Sequence, residues 1–501
     1  MAKELNHIDI SSAEKKIILS LIKTHLPNTT VWAYGSRATW SARPKSDLDL
    51  VAFASADQKN AVYDLKEAFE ESDLPFRVDF FVWDQVPDEF RVNIERERVV
   101  LVEDPKELKQ KSSKLAGWIN TTIGEQATLQ RGFDITRKEQ REGTVPVISS
   151  SGIKSYHDTS KVNGSGVVMG RKGTLGSVFY LEGEYWPHDT TLWVKDFHGN
   201  DPKYVYYFFK NMCAELLSMD VGAANPTLNR NHVHPLKVLW PNKLTQKAIA
   251  HILGTIDDKI DLNRRMNETL EAMAQAIFKS WFVDFDGCTE FEDSELGRVP
   301  KGWQVVELGD YVTVKRGGSP RPIRDFVVPE GLPWLKIADA TANNCPFIYK
   351  TKEFIKEECL KKTVLLQKRA LILSSATPGL PRFLQLDACI HDGWLYFPEK
   401  KIFTDHYLYH LFLILRKSLI SKGNGSVFTN LKTAILKTEK VVLPPKELIL
   451  KFEREASELL GRVNKLSIES STLANLRDTL LPKLISGELR VDEAEKMVEG
   501  A

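Results

Sequence analysis

Apolar positions change their period several times along these 501 residues, and each change marks a segment. After Pro241, the residues Ile249, Leu253, Ile256, Ile260, Asn263, Asn267, Leu270, Ala274 and Ile277 follow at alternating spacings of four and three. That alternation is the heptad seam of a long helix packing on another helix. After Pro445 it runs again through Phe452, Ala456, Leu459, Val463, Leu466, Ser470, Leu473 and on to Leu480. Two such narrow stripes must be buried, and each helix is the other's nearest partner. Asn263 and Asn267 in the seam cost stability and fix register or direction.

Ahead of each helix the pattern shortens to strands broken by Gly, Pro, Ser and Asn, as in "VPVISSSGIKSYHD", "GSGVVMGRKGTLGSVFYLEGEYWPHDTTLWV" and "RALILSSATPGLPRFLQLDACIHDGWLYFP". Short helices, "PKYVYYFFKNMCAELL" and "TDHYLYHLFLILRKSLI", follow these blocks. The first hundred residues differ, alternating amphipathic helices such as "SAEKKIILSLIKTHL" with strands such as "TVWAYG", "DLDLVAF" and "FRVDFFVW". The expected organisation is a small α/β domain at 1–104 and a Lys/Ser-rich linker at 105–116. A β-rich domain at 117–242 and a central long helix at 243–288 come next. A second β-rich domain at 297–443 and a last long helix at 446–487 complete the chain.

The two β-rich domains are copies of one another. Gly117-Trp118 recurs as Gly302-Trp303, Gly124 as Gly309, and Arg131-Gly132 as Arg316-Gly317, always 185 residues on. Towards the end of each copy the offset becomes 203, as between Pro241 and Pro444, so the second copy carries about eighteen extra residues. A period this long denotes a duplicated domain and not a solenoid.

Composition narrows the class. Apolar content of 42 % and charged content of 27 % suit a soluble globular protein, and no apolar run is long enough to span a membrane. Without a signal-peptide core, and with five cysteines lacking any C-x-x-C pair, a cytoplasmic location with reduced thiols is expected. The net charge of +1 conceals −6 over residues 1–104 and +7 over the remainder. Only the body is suited to a polyanion, and through local patches.

In the first domain, Asp47 and Asp49 stand two apart on a strand and so face the same side. A later strand supplies Asp79. Three clustered carboxylates repel one another unless divalent cations neutralise them, the arrangement of metal-assisted phosphoryl-type transfer. Gly35 lets the backbone approach a polyphosphate, and Ser36 offers a hydroxyl and an amide. Gly-Ser, about ten residues, Asp-x-Asp and a later Asp together resemble the minimal nucleotidyltransferase family over residues 10–103. The resemblance implies that Asp47, Asp49 and Asp79 are the catalytic and metal-binding set for Mg²⁺. It also implies that Gly35, Ser36 and Arg37 lie on a nucleoside triphosphate. One departure is Trp40, where the family often has glycine.

The body resembles the specificity subunit of type I restriction–modification enzymes over about 115–490. The resemblance rests on the paired "GW…LG…RG" openings, "GRKGTLGSV", "WPHDTTLWV", the helix "AIAHILGTIDDKIDLNRRMNETLEAMAQAIFKSWFVDF" and "LRDTLLPKLISGELR". It implies a multidomain α+β chain: an α/β nucleotidyltransferase-like head, then two β-rich α+β target recognition domains separated by two long antiparallel coiled-coil helices. Each domain would read half of a split, asymmetric double-stranded DNA site. Two methyltransferase subunits, which carry S-adenosylmethionine, and restriction subunits would be the partners. Thirty-odd helical residues give a spacer of roughly 45–50 Å. Gly-rich loops with embedded basic and amide side chains suit base reading and phosphate positioning. The candidate DNA contacts are Arg131, Arg171, Lys172, Asn229 and Arg230 in the first copy. In the second they are Arg316, Lys336, Arg382, Asn424 and Asn430.

The body holds no amino-methylation motif, Walker loop or recognisable nucleophile–base pair, so it is expected to read and position while partners react. His188 and His391, each in a His-Asp step after a strand, read as structural histidines. A competing reading makes the head the principal activity, a Mg²⁺-dependent transfer of a nucleotide to a protein or RNA acceptor, with the body as its targeting module.

Overall fold

The computed structural model describes residues 8–43, 46–104, 115–219, 227–341, 345–375, 379–422 and 431–499. The head is α1 (Ser12–His25), β1 (Val31–Tyr34), α2 (Gly35–Ala38), β2 (Leu48–Ala52), α3 (Lys59–Glu70), β3 (Val78–Val82), α4 (Asp88–Glu97) and β4 (Val99–Val102). Its four strands lie in the order β3-β2-β1-β4, with β2 and β3 parallel. Ser11 and Glu14 form a reciprocal capping box that starts α1. Ile18 and Ile22 of α1 and Leu65 and Phe69 of α3 bury the apolar faces of both helices against Leu48, Leu50 and Phe80 of the sheet. A second, smaller cluster of Val51, Val86 and Ile94 packs with Trp32, Tyr34 and Trp83.

The first repeated domain opens with β5 (Trp118–Thr122), which pairs antiparallel with its closing strand, Lys237–Pro241. The second copy does the same with Gln304–Glu307 and Lys440–Leu443. Next comes β6 (Thr128–Arg131), on which Arg131 stands opposite Leu192; in the second copy Arg316 stands opposite Leu395. The repeat thus reproduces strand register, and side chains keep their faces. Its glycines recur for a reason. A Cβ on Gly132 would lie 2.1 Å from the His188 carbonyl oxygen, and one on Gly317 would lie 2.5 Å from that of His391. The sheets around this frame differ: four-stranded and three-stranded in the first copy, two of five strands in the second.

A helix, α5 (Pro202–Asn211), capped by Asp201, covers the first copy with Tyr204, Val205, Tyr207, Phe208 and Phe209 buried. The long helix α6 runs Lys243–Phe282. It ends short of the expected 288, because Phe285 (φ +59°) and Gly287 (φ +87°) turn the chain left-handed. In the second copy α7 (Asp405–Lys422) occupies the place of α5, and α8 spans Lys446–Ile485.

By compactness the chain divides into two units, residues 1–253 with 479–501 and residues 254–478. In the second unit α6 and α8 are antiparallel partners. Asn263 donates to Glu469 at 3.0 Å, Asn267 to Ser467 at 3.1 Å, and Arg477 to Asp257 at 2.6 Å. Phe278, Phe452, Ala456 and Val463 from these helices join one core with Leu371, Leu395 and Phe412 of the second copy. In the first unit, Gly487 (φ +72°) follows α8 so closely that a Cβ there would meet Leu115 at 2.5 Å and Trp118 at 3.3 Å. Among the described residues, no helix is long and apolar enough to cross a membrane.

Candidate functional site

Two kinds of site emerge. In the head, strand register sets Tyr34, Asp49 and Asp79 side by side across β1, β2 and β3. Asp47 precedes β2 on the same side and is exposed. Burial, then Asp79 and Asp47, push the Asp49 carboxyl up from its ordinary value. The Tyr34 phenol is pushed up to about 12 by burial and by Asp49 and Asp79. Arg77 pairs with Asp79 at 3.0 Å. Gly35, at φ +74°, brings its backbone against Asp49, where a Cβ would lie 2.5 Å from Oδ2. A half-buried, mutually repelling carboxylate set beside a bare backbone turn fits a divalent cation and the phosphates it would carry.

Arg37 takes no part in that opening. It is 6 % exposed, donates to the carbonyls of Asp9 and Ser46, and stacks 3.9 Å over the Phe76 ring. The expectation that it grips a nucleotide is replaced by a scaffolding role, since its charge is turned into the core. Trp40 is half-exposed at φ +59°. Thr39 and Ser41 on either side bond back to Gly35 and Ser36. Trp40 therefore tips a loop folded onto the Gly-Ser turn.

In the first repeated domain, Arg131, Arg171, Asn229 and Arg230 meet in one cleft of about 670 Å³, with Gln130, Lys195 and Thr227. Lys172 is adjacent, bridged through its backbone to Thr227. Arg131 pairs with Asp189 at 3.0 Å, and Arg171 donates to the Asp189 carbonyl at 3.1 Å. Burial, then the neighbouring Arg131, lower the Arg171 pKa, with Asp189 opposing.

The second domain has a cleft of about 1000 Å³ lined by Arg321, Arg324, Trp334, Lys336, His391 and Asp392. Lys336 pairs there with Glu353. Arg316 is tied to the carbonyls of Asp392 and Leu431. Arg382 departs from expectation. It is 5 % exposed and donates to the Pro381 carbonyl, so its place is in the core and not on DNA. Glu271 faces it, raised to about 7 by burial although Arg382 opposes the shift. Asn424 and Asn430 lie outside the described residues. Arg321 and Arg324 were passed over, although their setting in "SPRPIRD", a proline-stiffened basic loop, is a readable signal.

His188 and His391 both set Nδ1 3.0 Å from the carboxylate of the following aspartate. Asp134, His188 and Asp189 also bring ligand atoms within 4.8 Å of one another.

Comparison with known proteins matches the body twice, at residues 116–272 and 300–465, to the type I restriction modification DNA specificity domain. Residues 15–107 match the polymerase beta nucleotidyltransferase family. The MjaIX specificity subunit of Methanocaldococcus jannaschii is 29 % identical, over 58 % of this chain and 70 % of that protein. The HindI specificity subunit of Haemophilus influenzae is 26 % identical, over 53 % and 71 %. The head is 39 % identical to a probable protein adenylyltransferase, MntA, of Haemophilus influenzae, over 21 % of this chain and 91 % of that one. Among solved structures, the type I S subunit from M. genitalium superposes with a TM-score of 0.53 at 16 % identity, covering 74 % of this chain and 96 % of its own, a likeness of fold. The chain belongs to the type I restriction–modification DNA specificity family, carrying that family's domain twice behind an N-terminal nucleotidyltransferase domain.

Proposed function

We propose that this chain reads a bipartite, asymmetric DNA site, one half per repeated domain, and positions methyltransferase and restriction subunits on it. The observation that carries the reading is the paired basic clefts, set on frames that repeat down to the register of Arg131 and Arg316. Guanidinium groups in a solvent-open cleft suit base edges and phosphates. The residues placed there are Arg131, Arg171, Asn229 and Arg230 in the first half and Arg321, Arg324 and Lys336 in the second. S-adenosylmethionine would enter only with the methyltransferase subunits. The test is co-expression with those subunits and mapping of methylated adenines by long-read sequencing. A two-part motif is expected, and methylation without a bipartite motif would overturn the reading.

A second reading concerns the head alone and is favoured by the in-register Asp49 and Asp79 with Asp47 beside them. Asp47, Asp49 and Asp79 would hold Mg²⁺, which supplies charge neutralisation for a nucleoside triphosphate. The backbone at Gly35 and the Ser36 hydroxyl would bind its phosphates. The buried sheet behind them fixes the carboxylates' separation. The acceptor is a protein or RNA hydroxyl. Incubation with labelled nucleoside triphosphates and Mg²⁺ tests it: labelling is expected, and equal labelling by the Asp47→Ala/Asp49→Ala variant would refute it.

A further inference from the structure

Asp392 lines the second cleft, and Asp189 contacts Arg131 and Arg171 of the first. We infer that Asp189 and Asp392 are positioning residues that hold arginines in a fixed orientation for reading bases, an inference resting on the DNA-reading role proposed above.

Each aspartate holds two arginines, one by its carboxylate and one by its main-chain carbonyl. In the first copy Arg131 takes the Asp189 carboxylate at 3.0 Å and Arg171 the carbonyl at 3.1 Å. In the second the assignment is exchanged: Arg316 takes the Asp392 carbonyl at 3.2 Å and Arg321 approaches the carboxylate at 3.6 Å. The equivalent arginines Arg131 and Arg316 thus both reach the aspartate, by different atoms of it, while the second arginine comes from a different loop in each copy, Arg171 in one and the exposed Arg321 in the other. The preceding histidine sets Nδ1 3.0 Å from each carboxylate, and that nitrogen accepts the N–H of Thr190 in the first copy and of Gly393 in the second, which fixes the turn that carries the aspartate. Gly132 and Gly317 are the residues that let the opening strand come this close to the histidine carbonyl.

Two guanidiniums on one aspartate leave net positive charge. Arg131 and Arg171 are close enough for one to lower the other's pKa. Phosphate contacts tolerate a mobile cation, whereas a bidentate contact to a base edge needs the guanidinium plane fixed. An arginine already braced loses less rotamer freedom on binding. A metal-ion role for Asp134, His188 and Asp189 explains less. The position equivalent to Asp134 is Ser319, whose hydroxyl accepts the Asp392 N–H, while the aspartate–arginine contacts persist.

The experiment selects randomised duplexes with the full chain assembled with its co-expressed methyltransferase subunits. The wild type should select two half-sites; if it selects none, the DNA-reading proposal fails, a result separate from failure of the present inference. Asp189→Asn should relax discrimination about tenfold or more at a position of one half-site and leave the other half intact. Asp392→Asn should do the converse. Binding to non-specific duplex should hold or strengthen, because a negative charge beside the phosphates is gone, whereas a merely structural role would weaken it. Arg131→Lys should relax the same half-site as Asp189→Asn, which keeps the question answerable if the aspartate variant fails to fold. Adding Asp189→Asn to Arg131→Lys should change little. Unchanged half-sites in the single variants, loss of both halves from one substitution, or loss of a half-site in the wild type on adding EDTA would each overturn the inference.

Discussion

Arg477 of α8 donates to Asp257 of α6 at 2.6 Å and also pairs with Asp478, with its side chain largely removed from solvent. It is one of several polar rungs between the two helices, with Asn263–Glu469 and Asn267–Ser467 further along. Removing it takes the Arg477 charge away from Asp257 in a half-buried setting. Arg477→Ala is expected to destabilise the helix pair by about 1–3 kcal/mol, read as a lower melting temperature. The exchange Asp257→Arg/Arg477→Asp should recover part of that loss, and no recovery would mean the pair acts only through its aliphatic packing.

Asn263 is fully buried, and its Oδ1 has no hydrogen-bond partner among the described residues. Asn263→Leu is therefore expected to raise thermal stability by about 1 kcal/mol or more. If the asparagine specifies helix alignment, the stabilised variant should also give a less uniform spacer between half-sites. Calorimetry and motif mapping on the same preparation separate the two effects.

Much of this architecture was legible because duplication converts single residues into pairs. Gly132 and Gly317, or Arg131 and Arg316, announce a shared frame that neither copy would reveal alone. Asp49 and Asp79 were legible because period-two alternation fixes a face before any pairing is known. The fates of Arg37 and Arg382 were not. An arginine facing solvent and one bonded to buried carbonyls look alike in sequence, since the acceptors, Asp9 and Ser46 for one and Pro381 for the other, are backbone atoms. The clamping by Asp189 was hidden for a similar reason: Arg131 lies 58 residues away.

Glu271 of α6 gives the unit of residues 254–478 a pH signature. Its folded pKa, about 7, lies above its unfolded value, so the folded state binds more protons between pH 4.5 and 7. Its contribution to stability is present below pH 4.5 and is lost as pH rises through 7. Glu271→Gln should raise the melting temperature at pH 8 and leave it nearly unchanged at pH 4.5.

The head should trade stability for its carboxylates. Asp49 is likewise raised, by burial first and then by Asp79 and Asp47, so its ionisation opposes folding above the ordinary carboxylate range. Asp49→Asn should raise the head's thermal stability at pH 8 in EDTA. Mg²⁺ is expected to raise the melting temperature of the wild type and not that of the variant, which thermal scans with and without the cation would measure; equal shifts would remove Asp49 from the proposed cation site.

Trp40 carries a backbone conformation that favours glycine. Trp40→Gly should stabilise the head by about 1 kcal/mol, observable in denaturant titration. A fall in nucleotide affinity alongside that gain would assign the ring a ligand contact.

The meeting of Gly487 with Leu115 and Trp118 bears on biosynthesis. Residues 479–501 belong to the same compact unit as residues 1–253, which are made long before them. That unit lacks its closing segment until translation has passed residue 479, and helix α6 meanwhile waits for the α8 residues opposite it. A chain stalled between residues 254 and 478 therefore lacks the segment that closes the unit holding residues 1–253.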